Sequence, residues 1–325
     1  REHAIGSSLK ISAKLAKLYA LPGNAGLEQI AELLPSELLN DWPKLTIFCR
    51  EHQIDLVVIG PEQPLVDGLT DYLEAQGLTV FGCSKAAAKL EASKSYTKEL
   101  CQKLSIKTAA YQAFNDLHSA SNYLLEQSYP IVIKEDGLAA GKGVTICHDM
   151  AMAQALIDKL YQAKPKAKII IEEFLLGQEV SLFAISDGNQ VKLLDTASDY
   201  KRLNDGDNGP NTGGMGTFSP ARIVDNNQAQ QLSDQFIKPV IEYLKASDTP
   251  YIGVLFAGLM ITEKGPYLLE FNVRLGDPES QSLLVRFEGD FYQLLAAAAT
   301  KNLPLANFNF SKKKAVTVVL ATKGY

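Results

Sequence analysis

Apolar and polar positions fall into two textures along the chain, one before Ser93 and one after it. In the first, the apolar runs IDLVVIG (Ile54–Gly60) and LTVFG (Leu78–Gly82) bracket PLVDGLTDYLEAQG, where Leu65, Leu69 and Tyr72–Leu73 recur at helical spacing. Strand, helix and strand within roughly thirty residues predict a βαβ unit and hence a parallel sheet. Ligands of such sheets bind beyond the carboxyl ends of the strands. GPEQP (Gly60–Pro64) and PGNAG (Pro22–Gly26) are therefore candidate binding loops, although Gly and Pro also make ordinary turns.

From Ser93 onward, SKSYTKELCQKL reads as a helix with Ser93 at its N-cap. PIVIKED and GVTICHD read as an antiparallel hairpin with a glycine-rich tip, Gly137–Gly143. Ala151–Tyr161 is an amphipathic helix, and Lys168–Leu175 a buried strand ending in acids. EVSLFAIS, QVKLLDTAS, GVLFAGLMIT and PYLLEFNVR are further strands, while Asn226–Lys245 reads as one long helix and Asp290–Thr300 as another. The expected class is α/β followed by α+β, in several domains.

Length supports that division, because 325 residues exceed one ordinary core. Hydrophobic residues at 46% and charged residues at 21% belong to a soluble globular chain. A net charge of −5 argues against nucleic-acid binding. Four cysteines without a CxxC pair suit a reducing compartment and no structural zinc. No apolar run approaches the ~20 residues of a membrane span, and no signal peptide is present at the N-terminus as given. A cytoplasmic location is expected.

Three stretches are hard to explain as packing. KEDGLAAGKGV (Lys134–Val144) has phosphate-binding materials, but its glycine spacing is not that of a P-loop or of a dinucleotide fingerprint. Lys134 ends an apolar strand, which suits a phosphate contact, and Glu172, Glu173 and Glu179 offer carboxylates to ribose hydroxyls as well as to solvent. In LLEFNVRLGDPE, Glu270, Asn272 and Arg274 alternate to one strand face. A carboxylate and an amide oxygen are hard ligands suited to Mg²⁺, and Arg274 beside them can grip a carboxylate or a phosphate. NGPNTGGMGTFSP (Asn208–Pro220), preceded by Lys201 and Arg202, reads equally as a surface loop or as part of an anion site.

Taken together and in this order, KEDGLAAGKGV, IIIEEFLLGQE, DNGPNTGGMGTFSP and LLEFNVRLGDPE resemble the phosphoribosylamine–glycine ligase family of ATP-grasp enzymes. REHA, PGNAG and GPEQPLVDG are also similar to that family, so the resemblance spans nearly the whole chain. It implies a pre-ATP-grasp domain over residues 1–90, a two-lobed ATP-grasp domain over 91–305, and the start of a C-terminal domain over 306–325. The implied activity joins glycine to 5-phospho-β-D-ribosylamine through a glycyl phosphate, giving glycinamide ribonucleotide, ADP and phosphate in purine biosynthesis.

The resemblance also implies roles for individual residues. Lys94, Lys134, Gly141, Lys142 and Gly143 would meet the ATP phosphates. Glu172, Glu173, Phe174 and Leu175 would line the adenine pocket, and Glu179 would take the ribose. Glu270 and Asn272 would hold Mg²⁺ or Mn²⁺, with Lys134, Lys201 and Arg274 carrying the electrostatic work. Arg1, Glu2, His3, Gly60, Pro61, Glu62, Asn211, Thr212, Gly213, Gly214, Met215, Arg274, Gly276, Asp277 and Pro278 would shape the substrate pocket. The ribose end of phosphoribosylamine is expected at Gly60–Glu62 and glycine beside Arg274. Glycine, phosphoribosylamine and ATP are the expected partners of a chain read as a monomer.

Two positions depart from the family pattern: Tyr200 stands where DHKR has its histidine, and Glu135 where KADG has alanine. The family also has a strand and glycine-rich turn ahead of REHA and a domain beyond TKGY, so a trimmed chain is expected. Another ATP-grasp ligase would lack NTGGMG and GPEQP, and a non-catalytic nucleotide-binding protein would have lost Lys134, Glu270 or Asn272. This chain keeps all of them.

Overall fold

Strands of only two residues build the sheets of the first ninety residues. The computed structural model, which describes residues 1–138, 143–206 and 208–322, pairs β1 (Tyr19–Ala20) with β2 (Glu32–Leu33) and β3 (Val57–Val58) with β4 (Val80–Phe81), both parallel. The expected βαβ crossover links β3 to β4, but its helix is split into Glu62–Asp67 and Leu69–Ala75. Gly68 makes the break, at a φ of 98° that side chains with a Cβ rarely adopt. Leu65 and Leu73, picked out by helical spacing, are 1% and 0% exposed.

The next sheet is four-stranded and antiparallel. It comprises β5 (Tyr111–Phe114), β6 (Ile131–Glu135), β7 (Val144–Cys147) and β8 (Ile169–Glu173), in the order β5-β8-β6-β7. Ile131, Ile133, Ile169 and Ile171 point to one face and pack with Leu124 and Ile157 from the helices Leu117–Leu124 and Met150–Ala163. Two-residue alternation then sends Lys134 and Glu172 to the other face. With Val132 opposite Glu172 and Lys134 opposite Ile170, the two charged residues are diagonal neighbours on adjacent strands.

Most of the remaining strands join a six-stranded sheet: β9 (Gln178–Asp187), β10 (Val191–Asn204), β11 (Asn208–Ser219), β12 (Ile252–Thr262) and β13 (Gly265–Asn272). A small hairpin, β14 (Phe287–Gly289) with β15 (Phe308–Phe310), stands apart, and β16 (Ala315–Val318) closes the large sheet, whose order is β13-β12-β9-β10-β11-β16. Both faces of β9 are covered. Val180, Leu182 and Ala184 pack with Phe236 and Val240, whereas Phe183 and Ile185 pack with Phe291 and Leu294. Burial on both faces explains why VSLFAIS is a continuous apolar run instead of an alternating one.

Two elements differ from the sequence reading. The expected single helix over Asn226–Lys245 is two helices, Asn226–Leu232 and Lys238–Ala246, separated by a wider π turn at Ser233–Ile237. Pro239 lies at the start of the second helix, where its missing N–H interrupts the ladder. NGPNTGGMGTFS is not a free loop but β11, paired with β10 across two register irregularities. Among the described residues, no helix is long and apolar enough to cross a membrane.

Gly214 shows how tightly β11 is seated. Its φ is +126°, and a Cβ there would lie 2.4 Å from Cδ of Pro278. Gly214→Ala should lower the unfolding free energy by about 3 kcal/mol, combining backbone strain with overpacking. Urea unfolding of both proteins checks this; an unchanged midpoint would mean that β11 and the Pro278 turn part without cost.

Candidate active site

Charged residues distant in sequence meet where the small first domain abuts the end of β13. Arg1 Nη1 lies 3.4 Å from Glu62 Oε2 and donates to the Leu275 carbonyl, also at 3.4 Å. Arg274 Nε meets the same Glu62 oxygen at 3.2 Å. Its Nη2 donates to Glu91 at 2.9 Å and to Asn272 Oδ1 at 3.1 Å. Glu91 Oε2 in turn accepts from the Val273 N–H at 2.7 Å, so one carboxylate fixes both the guanidinium and the backbone beside it. Burial works to raise the Glu62 carboxyl, but Arg274 and Arg1 hold it below its ordinary value. Burial outweighs Arg274 at Glu91, whose pKa is raised.

REHA packs against both GPE and PGNAG. A Cβ on Gly60 would meet Glu2 at 3.1 Å, and one on Gly26 would meet the His3 ring at 2.9 Å. Across the junction, Gly214 packs on Pro278, and the Thr217 hydroxyl donates to the Pro278 carbonyl at 3.1 Å. Thr212 holds its own strand to β10 by donating to the Lys201 carbonyl at 2.9 Å. Asn211 and Met215 are half-buried on this strand, and Gly213 is exposed. Glu62 and Arg274, expected to serve different substrates, form a single ion pair, so changing either disturbs the other.

The nucleotide side is organised by the four-stranded sheet. Asp136 caps the Lys94–Leu104 helix, accepting from Lys94 N at 2.6 Å and from the Ser95 hydroxyl at 2.6 Å. Lys94 Nζ donates to the Gly137 carbonyl at 2.8 Å, tying the helix to the base of the glycine-rich tip. Lys134 Nζ lies 2.9 Å from Glu172 and donates to the Leu269 carbonyl at 3.2 Å. The Glu172 carboxylate thus faces two lysines, Lys98 and Lys134. Glu173 is exposed and accepts from Ala110 N at 2.9 Å, and Phe174 and Leu175 are half-buried beyond it. Glu179, expected to take ribose, pairs with Lys201 at 2.7 Å. Gly143 bonds back to Glu135, whereas Gly141 and Lys142 lie outside the described residues.

Glu270 sits between these two groups. No described residue hydrogen-bonds or ion-pairs with its carboxylate, yet burial is outweighed there by Lys201, Lys134, Lys94 and Arg274, which keep its pKa below the ordinary value. Among the described residues, no three His, Cys, Asp or Glu side chains form a metal cage. A pair of hard oxygens from Glu270 and Asn272, completed by water and phosphate, still fits Mg²⁺. An ionised carboxylate with no partner among the described residues is the donor such an ion needs. Burial opposes the charge on Lys201 as well, but Asp199, Glu179 and Glu270 raise its pKa well above the ordinary lysine value.

Comparison with known proteins gives the arrangement a family. The phosphoribosylglycinamide synthetase N domain matches residues 1–91 and the ATP-grasp (A) domain of the same enzyme matches residues 92–280. The chain belongs to this family. Phosphoribosylamine–glycine ligase of Mesorhizobium japonicum is 46% identical over 328 aligned residues, which take in all of this chain and 77% of that one. The chloroplastic ligase of Arabidopsis thaliana is 42% identical, matched over 63% of its length. A crystal structure of the ligase from Thermotoga maritima superposes with a TM-score of 0.82 at 31% identity, covering 100% of this chain and 78% of that one. N5-carboxyaminoimidazole ribonucleotide synthetase in its ADP complex shares the fold, with a TM-score of 0.70 at 20% identity over 97% of this chain and 78% of that one.

Four charged residues of this phosphoribosylglycinamide synthetase chain escaped the sequence reading: Glu91, Lys98, Asp199 and Glu279. Each lies inside a recognised motif or directly beside one, but an acid or lysine one place along looks solvated until packing is known. Glu279 is 4% exposed, with the Ser181 hydroxyl 3.3 Å away. Burial, then repulsion from Asp199, pushes its pKa up to about 7. A carboxyl raised on folding binds more protons folded than unfolded, so stability falls as pH rises from 4.5 to about 7. Glu279→Gln abolishes that titration. The variant should gain roughly 2–3 kcal/mol on the parent between pH 5 and pH 8. Denaturant unfolding at both pH values measures the difference, and a constant gap would show that Glu279 stays ionised.

Proposed function

We propose that the chain joins glycine to phosphoribosylamine at the expense of ATP, with the chemistry centred on Glu270. The observation that carries this reading is the convergence of Lys94, Lys134, Lys201 and Arg274 on one carboxylate that has no hydrogen-bond or ion-pair partner among the described residues. A cleft so furnished suits phosphoryl transfer, which needs positioning and charge neutralisation more than a protein nucleophile. The glycine carboxylate attacks the γ-phosphoryl group, giving glycyl phosphate and ADP. The ribosylamine nitrogen then attacks the acyl carbon, loses a proton and expels phosphate.

Lys134 and Lys94 neutralise the nucleotide phosphates in this reading, and the base of the glycine-rich tip places Lys94. Glu270 and Asn272 would hold Mg²⁺ or Mn²⁺, which would supply positive charge against the phosphates. Arg274, clamped by Glu62 and Glu91, presents its remaining guanidinium edge to glycine, while Gly60–Glu62 meets the ribosylamine. Lys201 stands opposite, kept charged by its acidic neighbours. The division into residues 1–90, 91–305 and 306–325, a single copy of the chain as the working unit, and a cytoplasmic location belong to the same reading. Buried, unpaired Cys49, Cys83, Cys101 and Cys147 support the reducing compartment.

Glycine-dependent ADP release, with phosphoribosylamine generated in place, tests the activity; release independent of glycine would refute it. Glu270→Ala should lower turnover about a thousandfold while leaving the fold intact. Near wild-type rates at limiting Mg²⁺ would remove Glu270 from the site. For the shared ion pair, Glu62→Gln and Arg274→Lys should each lower kcat/KM. Their double variant should lose about 1 kcal/mol less than the two single losses combined. Strict additivity would mean the pair does not act as a unit.

A further inference from the structure

Lys98 has no part in the reaction set out above, yet it is only 3% exposed. It lies one turn beyond Lys94 on the same helix. Its ammonium is 3.1 Å from Glu172 Oε1 and donates to the Thr108 hydroxyl at 2.6 Å and the Ala109 carbonyl at 3.4 Å. The other carboxylate oxygen, Glu172 Oε2, meets Lys134 at 2.9 Å. Thr108 donates onward to the Leu268 carbonyl at 2.8 Å, next to the Leu269 carbonyl that Lys134 uses. Burial pushes the Lys98 pKa down and Lys134 adds to that, with Glu172 opposing both.

Charge counting gives this arrangement a meaning. A single carboxylate suffices to orient Lys134, but the resulting buried pair would be neutral. Adding Lys98 beside the other oxygen of Glu172 restores one unit of positive charge to the cluster that holds Lys134. We propose that Lys98 is a positioning residue for nucleotide binding, occupying half of Glu172 so that Lys134 is oriented without being neutralised. The inference rests on Lys134 being a phosphate contact, as read above.

Calorimetric titration with ADP tests it without relying on turnover. Lys98→Met makes the triad neutral and should weaken ADP binding about tenfold, because one positive charge is lost from a buried, poorly screened cluster that includes Lys134. Lys98→Gln keeps a donor for Thr108 and carries the same charge change if the Met variant does not fold. Lys98→Met with Glu172→Gln returns the net charge to that of the parent and should recover ADP affinity to within about threefold. Loss of a purely structural contact would not be rescued by removing a second one. Wild-type affinity in Lys98→Met, or a double variant as weak as the single one, overturns the proposal. Lys134→Met separates the two readings. If it leaves ADP affinity unchanged, the nucleotide site is misplaced; if it alone weakens binding, only the role of Lys98 fails.

Discussion

Four cations cannot be gathered in a half-buried cleft unless carboxylates stand among them, and the rest of the site follows from that balance. Lys134 rests on Glu172, Lys201 on Glu179 and Asp199, and Arg274 on Glu62 and Glu91. Each pairing leaves the cation charged but fixed, which is worth more to a phosphoryl-transfer site than a free lysine on a mobile stem. Glu270 is the exception. It stays ionised through the field of its neighbours rather than through a contact, and so keeps its oxygens for another ligand.

Holding those pairs requires elements that do not move independently. The four-stranded sheet brings Lys134 and Glu172 side by side, and the end of β13 brings Asn272 and Arg274 to the same place. Backbone carbonyls of Leu268 and Leu269 join the two sheets through Thr108 and Lys134. The first domain then contributes Glu62 and Arg1 to the ion pairs across the junction. Close packing of Gly214 on Pro278, at a positive φ, and of Gly216 on the Thr317 carbonyl makes these two glycines of NTGGMG a structural necessity.

Much of this was legible in the chain because the relevant signals are local. Alternation within PIVIKE and KIIIEE marks both the strands and the residues that leave their core face, and Ser93 caps the helix it was expected to cap. The motifs around Lys134, Glu270 and Gly214 carry the family, which in turn supplies the fold and activity. Less local features went unread. The break in the Asn226–Lys245 helix depends on how Pro239 is accommodated, and β11 becomes a strand only because β10 and β16 offer it partners on both edges.

Sequence by itself therefore determined the elements, their order, and which residue types approach the site, since periodicity and glycine spacing act over a few residues. Tertiary structure alone decided the pairings. Glu172 pairs with both Lys98 and Lys134, and Glu62 forms an ion pair with Arg274 across the junction. Burial and the nearby Asp199 raise the Glu279 carboxyl to about 7, well above the range of an exposed carboxylate. Electrostatic interaction depends on distance and on exclusion of water. Both are set by residues tens to hundreds of positions apart, so neither is written in any short stretch of the chain.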